Sequence, residues 1–93
     1  MKKTDIFARW LDDLRDIRAR ARVQSRLERL AAGNPGDVKS VGEGVSEMRI
    51  DYGPGYRVYF TRCGNEVVIL LVGGDKSTQN TDIKTAQGLA RNL

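Results

Sequence analysis

The sequence predicts an α+β domain, with helices at both ends of the chain and a small antiparallel sheet between them. Three observations carry that expectation. Apolar residues recur at helical spacing over residues 5–32 and again near the C-terminus. Residues 45–61 instead alternate apolar and polar side chains, the period of a half-buried strand. Glycine and proline gather where the period changes, within 33–44, 53–55 and 73–81.

The first helical stretch, residues 5–32, reads as two helices or one bent helix. Thr4 can cap its start through the hydroxyl oxygen. Phe7, Trp10, Leu11 and Leu14 form one apolar stripe, which Ile17, Val23, Leu27 and Leu30 continue. Asp16 suits the cap of a second helix, and Gly33 a stop in the left-handed conformation. Arg18, Arg22, Arg26 and Arg29 share another face, either a wet helix surface or a contact with nucleic acid or an acidic partner. Residues 33–44 are a loop by composition, with Lys39 as its one cation.

A hairpin follows. Met48, Ile50 and Tyr52 point one way along 45–52, and Glu47, Arg49 and Asp51 the other. Gly53-Pro54-Gly55 makes the turn, and Tyr56, Val58 and Phe60 then alternate with Arg57, Tyr59 and Thr61. The simplest register pairs Tyr52 with Tyr56, which sets Asp51 opposite Arg57 and Arg49 opposite Tyr59. A one-residue slip would put charges in the core. Residues 62–66 form a second turn. The run VVILLV, 67–72, suits an interior strand covered on both faces. A loop over 73–81 leads into a last helix, roughly 81–91, with Ile83, Ala86, Leu89 and Ala90 on its apolar side.

The chain has 93 residues, the size of one domain spanning 1–93. No apolar run approaches the roughly 20 residues of a spanning helix, and the N-terminus does not read as a signal peptide, so a cytoplasmic location is expected, without a membrane partner. There is one cysteine and no histidine. That leaves no internal disulfide, no ordinary zinc site and no histidine-based triad, and no cofactor is expected. The net charge is +4, and the excess lies wholly in residues 1–32.

The sheet face carrying Arg49, Arg57 and Tyr59 is the sharpest chemical feature. Two arginines can grip a phosphate bidentately, and a tyrosine can stack a base. The bland alternative is a surface ion pair between Arg57 and Asp51. Lys76 lies in GGDKST, which lacks the spacing of an ATP phosphate loop. It is either an anion-binding lysine before a helix or part of an ordinary loop capped by Ser77 or Thr78.

The linked pieces GDVKSVGEGVSEMRI (36–50), YGPGYRVYF (52–60) and GGDKSTQ (73–79), with FARWLDDLRD (7–16) and the arginine-rich second helix, resemble the RelE/ParE toxin superfamily. Within it they are similar to the addiction module killer protein branch, related to HigB toxins. The resemblance covers nearly the whole chain. It implies a RelE-like fold, a helical hairpin packed on a small twisted antiparallel sheet with a C-terminal helix. It also implies a type II toxin, silenced by a cognate antitoxin expected to be a helix-turn-helix protein, with operator DNA reached only through that antitoxin. Many relatives cut messenger RNA on the ribosome without a metal. The strand arginines of such relatives resemble Arg49 and Arg57; Lys76 or Lys39 would assist as base, and Tyr59 would orient the nucleotide or donate a proton. Lys39, Arg22 and Arg26 would hold the RNA. Two departures stand out: only Met1 to Thr4 precede the first helix where relatives carry a strand, and the C-terminal catalytic histidine or tyrosine of some relatives has no counterpart. The alternatives are a non-catalytic antitoxin-binding or autoregulatory module, and a ParE-type inhibitor of DNA gyrase.

Overall fold

The computed structural model describes residues 1–64 and 67–93. In chain order the elements are β1 (Lys2–Lys3), α1 (Asp5–Asp13), α2 (Ile17–Ala31), β2 (Val38–Ser40), β3 (Val45–Ile50), β4 (Tyr56–Cys63), β5 (Val67–Gly74), a 3-10 turn (Lys76–Thr78) and α3 (Gln79–Arg91). Among these residues no helix is long and apolar enough to cross a membrane.

The N-terminal stretch is two helices. The Thr4 hydroxyl accepts from the Phe7 N–H at 3.0 Å and donates to the Leu71 carbonyl at 2.6 Å, so one side chain caps α1 and ties it to β5. Asp16 accepts from the N–H groups of Arg18 and Ala19 at 2.9 and 3.3 Å and starts α2. At the other end Gly33, at φ 88°, donates to Leu30, and Asn34 donates to Arg29. This is the Schellman closure, and glycine takes its positive φ at no steric cost.

The sheet order is β1-β5-β4-β3-β2, with β1 parallel to β5 and every other pair antiparallel. Helical layers cover both faces. On one, Phe7, Leu11, Val23, Leu27 and Leu30 bury against Met48, Ile50, Val58, Phe60 and Leu70. On the other, Ala86 of α3 buries against Val45, Tyr59, Leu71 and Val72. The α+β class is as expected, and β5 is the interior strand that its apolar run suggested.

Several boundaries and one register differ. Ile50 pairs with Tyr56, Arg49 with Arg57, Met48 with Val58 and Glu47 with Tyr59. That is two residues away from the expected register. A two-residue slip leaves every side chain on its expected face, so alternation is satisfied either way. The turn decides: Tyr52 N–H bonds back to the Ile50 carbonyl at 2.9 Å, and Gly55 N–H to the Tyr52 carbonyl at 3.2 Å. Asp51 therefore leaves the ladder and does not oppose Arg57, and Arg49 opposes Arg57 rather than Tyr59.

Two short strands lie where none was placed: β2, inside the expected loop 33–44, and β1, ahead of the first helix. β4 runs on to Cys63, through the start of the expected 62–66 turn; Asn65 and Glu66 of that turn lie outside the described residues. β5 continues through Gly73 and Gly74, expected as loop. A Cβ at Gly73 would overlap the Trp10 ring, and one at Gly74 the Asp82 carboxylate. The strand passes between the two helical layers there because it carries no side chains. Leu71 is an extra residue between the Leu70–Phe60 and Val72–Tyr59 pairs, a β-bulge that sends Leu71 and Val72 to the same side.

Candidate functional site

On the α3 side of the sheet, residues from successive strands line up in rows. One row runs Lys39, Glu47, Tyr59 and Val72. The next runs Arg49, Arg57 and Gly74, with Asp37 beside Arg49. α3 closes over Glu47, Tyr59 and Val72 of the first row and leaves Lys39, and the Arg49 end of the second row, exposed.

Glu47 is the centre of this arrangement. It is 0 % exposed, although the alternation pattern put it on a solvent face. Its Oε2 accepts from the Tyr59 hydroxyl at 3.0 Å and from Gln79 Nε2 at 2.9 Å. Arg57 Nε lies 3.7 Å from the same oxygen, and Lys39 Nζ 3.8 Å from Oε1. A buried carboxylate persists only where cations and donors surround it, and four groups do so here.

Arg57 is held from two sides. Its side chain is 11 % exposed, and Nη1 donates to the Gly55 carbonyl at 2.8 Å. Arg49, 44 % exposed, pairs with Asp37 at 3.2 Å. Like charges directly opposite across a ladder repel. Here each arginine has its own carboxylate, which lets the pair stand side by side. Together they line an open concavity of about 350 Å³ with Asp37, Asp51, Gly55 and Tyr56. Two guanidinium groups on one wall suit a bidentate anion such as a phosphodiester.

Lys76 is exposed at the start of the 3-10 turn, and its N–H reaches the Pro54 carbonyl at 3.4 Å. A Cβ at Gly55 would lie 3.3 Å from Arg57 Nη1 and 3.6 Å from the Lys76 Cβ, so both cations border that glycine. Behind Lys76, Asp75 accepts from the Ser77 hydroxyl; this bond, chiefly, holds its carboxyl below the usual value, with Arg57 adding to it. Burial pushes the Asp82 carboxyl up, against the bond it accepts from Thr78, and the nearby Asp75 charge adds to the rise.

The structure thus brings Arg49, Arg57, Lys39 and Lys76 to one end of the sheet. Tyr59 shares their face but not their surface. It is 0 % exposed beneath α3, and burial, with its bond to Glu47, drives its phenol pKa far up. A nucleotide at the open concavity cannot stack on it. Arg26 is also engaged: it donates to the Arg49 carbonyl at 2.6 Å and to the Pro35 carbonyl at 3.1 Å, fastening α2 to β3 and to the loop before β2. Arg22 lies elsewhere, over the Tyr52 ring at 4.9 Å. Sequence reasoning passed over Glu47 and Gln79. The signal for Glu47 was partial: alternation put it on the face of Arg57 and Tyr59, but only the observed register sets it opposite Tyr59 and only β2 brings Lys39 beside it.

A family model described as "Phage derived protein Gp49-like (DUF891)" matches residues 9–92 of this chain. An uncharacterized protein of Haemophilus influenzae is 52% identical over 93 residues, spanning 100% of this chain and 94% of that protein.

Proposed function

Since the chain belongs to the phage-derived Gp49-like family, we propose that it is the toxin of a type II toxin–antitoxin pair, RelE/ParE-like and close to the HigB branch, acting as a metal-independent endoribonuclease on ribosome-bound messenger RNA. The observation that carries this reading is the Arg49–Arg57 pair, opposed across β3 and β4 and set in an open concavity by Asp37 and Glu47. The RNA 2′-hydroxyl attacks the adjacent phosphorus, the bond to the 5′-oxygen breaks, and a cyclic phosphate remains on one fragment. Arg57 and Arg49 stabilise the charge that builds on the phosphoryl oxygens. One of Lys76 and Lys39, as the neutral amine, takes the proton of the attacking hydroxyl, and the other, as the ammonium, gives a proton to the departing 5′-oxygen. Glu47 and Tyr59 act as positioning residues: they hold Arg57 and Lys39 from beneath and do not touch RNA. A cognate antitoxin, a helix-turn-helix protein encoded beside the toxin, silences it.

The test is cleavage of messenger RNA on programmed ribosomes. Arg57→Ala is expected to lower the rate about 10²–10³-fold, the usual loss for one donor to a developing oxyanion. Intact messenger RNA with the wild-type chain, or full activity in Arg57→Ala, would overturn the reading. A second reading, a non-catalytic module that binds its antitoxin, draws on the ion pairing of Arg49, Arg57 and Lys39 with carboxylates. Stable antitoxin binding without cleavage or growth arrest would favour it; arrest with inhibited supercoiling would point to gyrase.

A further inference from the structure

A second concavity, about 260 Å³, lies where α2 crosses the end of β3. Arg22, Arg26 and Arg29 fall at i, i+4 and i+7, so α2 presents them on one side while Val23, Leu27 and Leu30 bury on the other. They line this concavity with Ser25, Ile50 and Asp51. The charge balance differs from that of the first concavity. There, two arginines meet Asp37 and Asp51. Here three arginines meet Asp51 alone, and among the described residues none of the three is in an ion pair.

The three arginines are unequal. Arg26 is fixed by two backbone carbonyls. Arg22 is fixed differently, by stacking over Tyr52, whose hydroxyl donates to Asp16 at 2.9 Å and whose ring stacks on Tyr56 at 6.5 Å. A guanidinium held over a ring by cation–π attraction spends no N–H group on a hydrogen bond, so its donors stay open to an anion. Arg29 is exposed in the last turn of α2. Ile50 and Asp51 line both concavities, so the two adjoin at that point, and the half-buried Tyr56 lines the first.

We infer that the Arg22–Arg26–Arg29 concavity is a phosphate subsite, which holds the backbone of a single-stranded RNA next to the phosphate gripped by Arg49 and Arg57. The identity of the ligand as RNA rests on the nuclease reading; the anion preference of the subsite rests on its own charge and geometry. Arg22 and Arg29 supply the contacts, and Arg26 holds the wall.

The test is binding, not cleavage. Fluorescence anisotropy of a labelled single-stranded RNA oligonucleotide is measured against salt for the full chain, for Arg22→Gln/Arg29→Gln and for Arg22→Lys/Arg29→Lys. Each phosphate contact to a single strand contributes about 0.7 to the slope of log affinity against log salt. The Gln pair is expected to lower that slope by about 1.4, or about 25-fold in affinity at 0.1 M salt, with an unchanged melting curve. The Lys pair is expected to restore the slope. Wild-type affinity and slope in the Gln pair overturn the subsite, as does a Lys pair as weak as the Gln pair, or a wild-type chain that binds no RNA at low salt. Duplex DNA competing better than the single strand overturns the assignment to an unpaired chain. Intact messenger RNA on programmed ribosomes with the wild-type chain, beside a slope lost in the Gln pair, removes the nuclease reading and leaves the subsite standing.

Discussion

Replacing Glu47 with glutamine tests whether this one carboxylate carries the site. The amide has nearly the same volume, and its oxygen can still accept from Tyr59 and Gln79. Its NH₂ group, however, takes the place of Oε1 and faces Lys39, and the oxygen left beside Arg57 no longer carries a negative charge. Removing one partner from a buried ion pair costs about 3–5 kcal/mol. Arg57 keeps the Gly55 carbonyl, and the Lys39 side chain is 50 % exposed, so the low end, about 3 kcal/mol, is expected. For a domain of this size each 1 kcal/mol lowers Tm by about 4–8 °C, which predicts a fall of about 12–24 °C. Total stability for such a chain is on the order of 5–14 kcal/mol, enough for the variant to fold. Urea unfolding followed by circular dichroism measures the loss. A cycle with Arg57→Gln and the double variant isolates the Glu47–Arg57 coupling, expected at about 1 kcal/mol or more. A Glu47→Gln protein within 1 kcal/mol of wild type at unchanged m, or an uncoupled cycle, refutes the placement of Arg57 by Glu47.

Arg26→Gln is expected to cost about 1–3 kcal/mol in urea unfolding, because the Arg49 and Pro35 carbonyls lose a charged donor, while Arg29→Gln leaves stability within about 0.5 kcal/mol. Gly73→Ala is expected to cost about 1–3 kcal/mol through overlap with Trp10, and a Trp10→Leu background should recover part of it by thermal melt. The raised Tyr59 phenol gives stability that is whole below its unfolded pKa of about 10 and lost as pH climbs toward the folded value. Stability measured from pH 8 to 11 should therefore fall at the alkaline end, and less so in Tyr59→Phe. Asp16 and Asp75 are held below 3.8, chiefly by bonds from Tyr52 and Ser77, so what they contribute is present above that pH and lost as pH falls through their folded values. An Asp16→Asn/Asp75→Asn protein should show a flatter acid limb.

The helices were legible because their ends are chemical. Thr4, Asp16 and Gly33 each do at a helix terminus what their side chain, or lack of one, allows. The hairpin was legible in its faces and not in its register, since a slip of two satisfies alternation as well as the true pairing does. Only the hydrogen bonds of Tyr52 and Gly55 separate the two. β2 escaped because three residues on an edge carry no period, and Gly73–Gly74 because their place in a strand depends on Trp10, far back in the chain, and on Asp82 of the helix that follows. The site was legible as a set of cations. Its depth was not: alternation marks a face as polar, but whether water or α3 covers that face is a tertiary fact. That is why Tyr59 was expected outside and Glu47 was overlooked.

The bonds that join Thr4 to β5 also set an order of events during synthesis. Thr4 donates through its N–H to the Leu70 carbonyl and through its hydroxyl to the Leu71 carbonyl, across 67 residues of chain. α1 therefore leaves the ribosome with Phe7 and Leu11 uncovered and waits for β5 to follow. Contacts so distant in sequence form slowly and leave apolar surface open meanwhile. Gln79, which completes the ring of donors around Glu47, emerges later still. A nascent chain halted before that point carries both strand arginines without the frame that aims them, so the site comes into being only once α3 has begun to form.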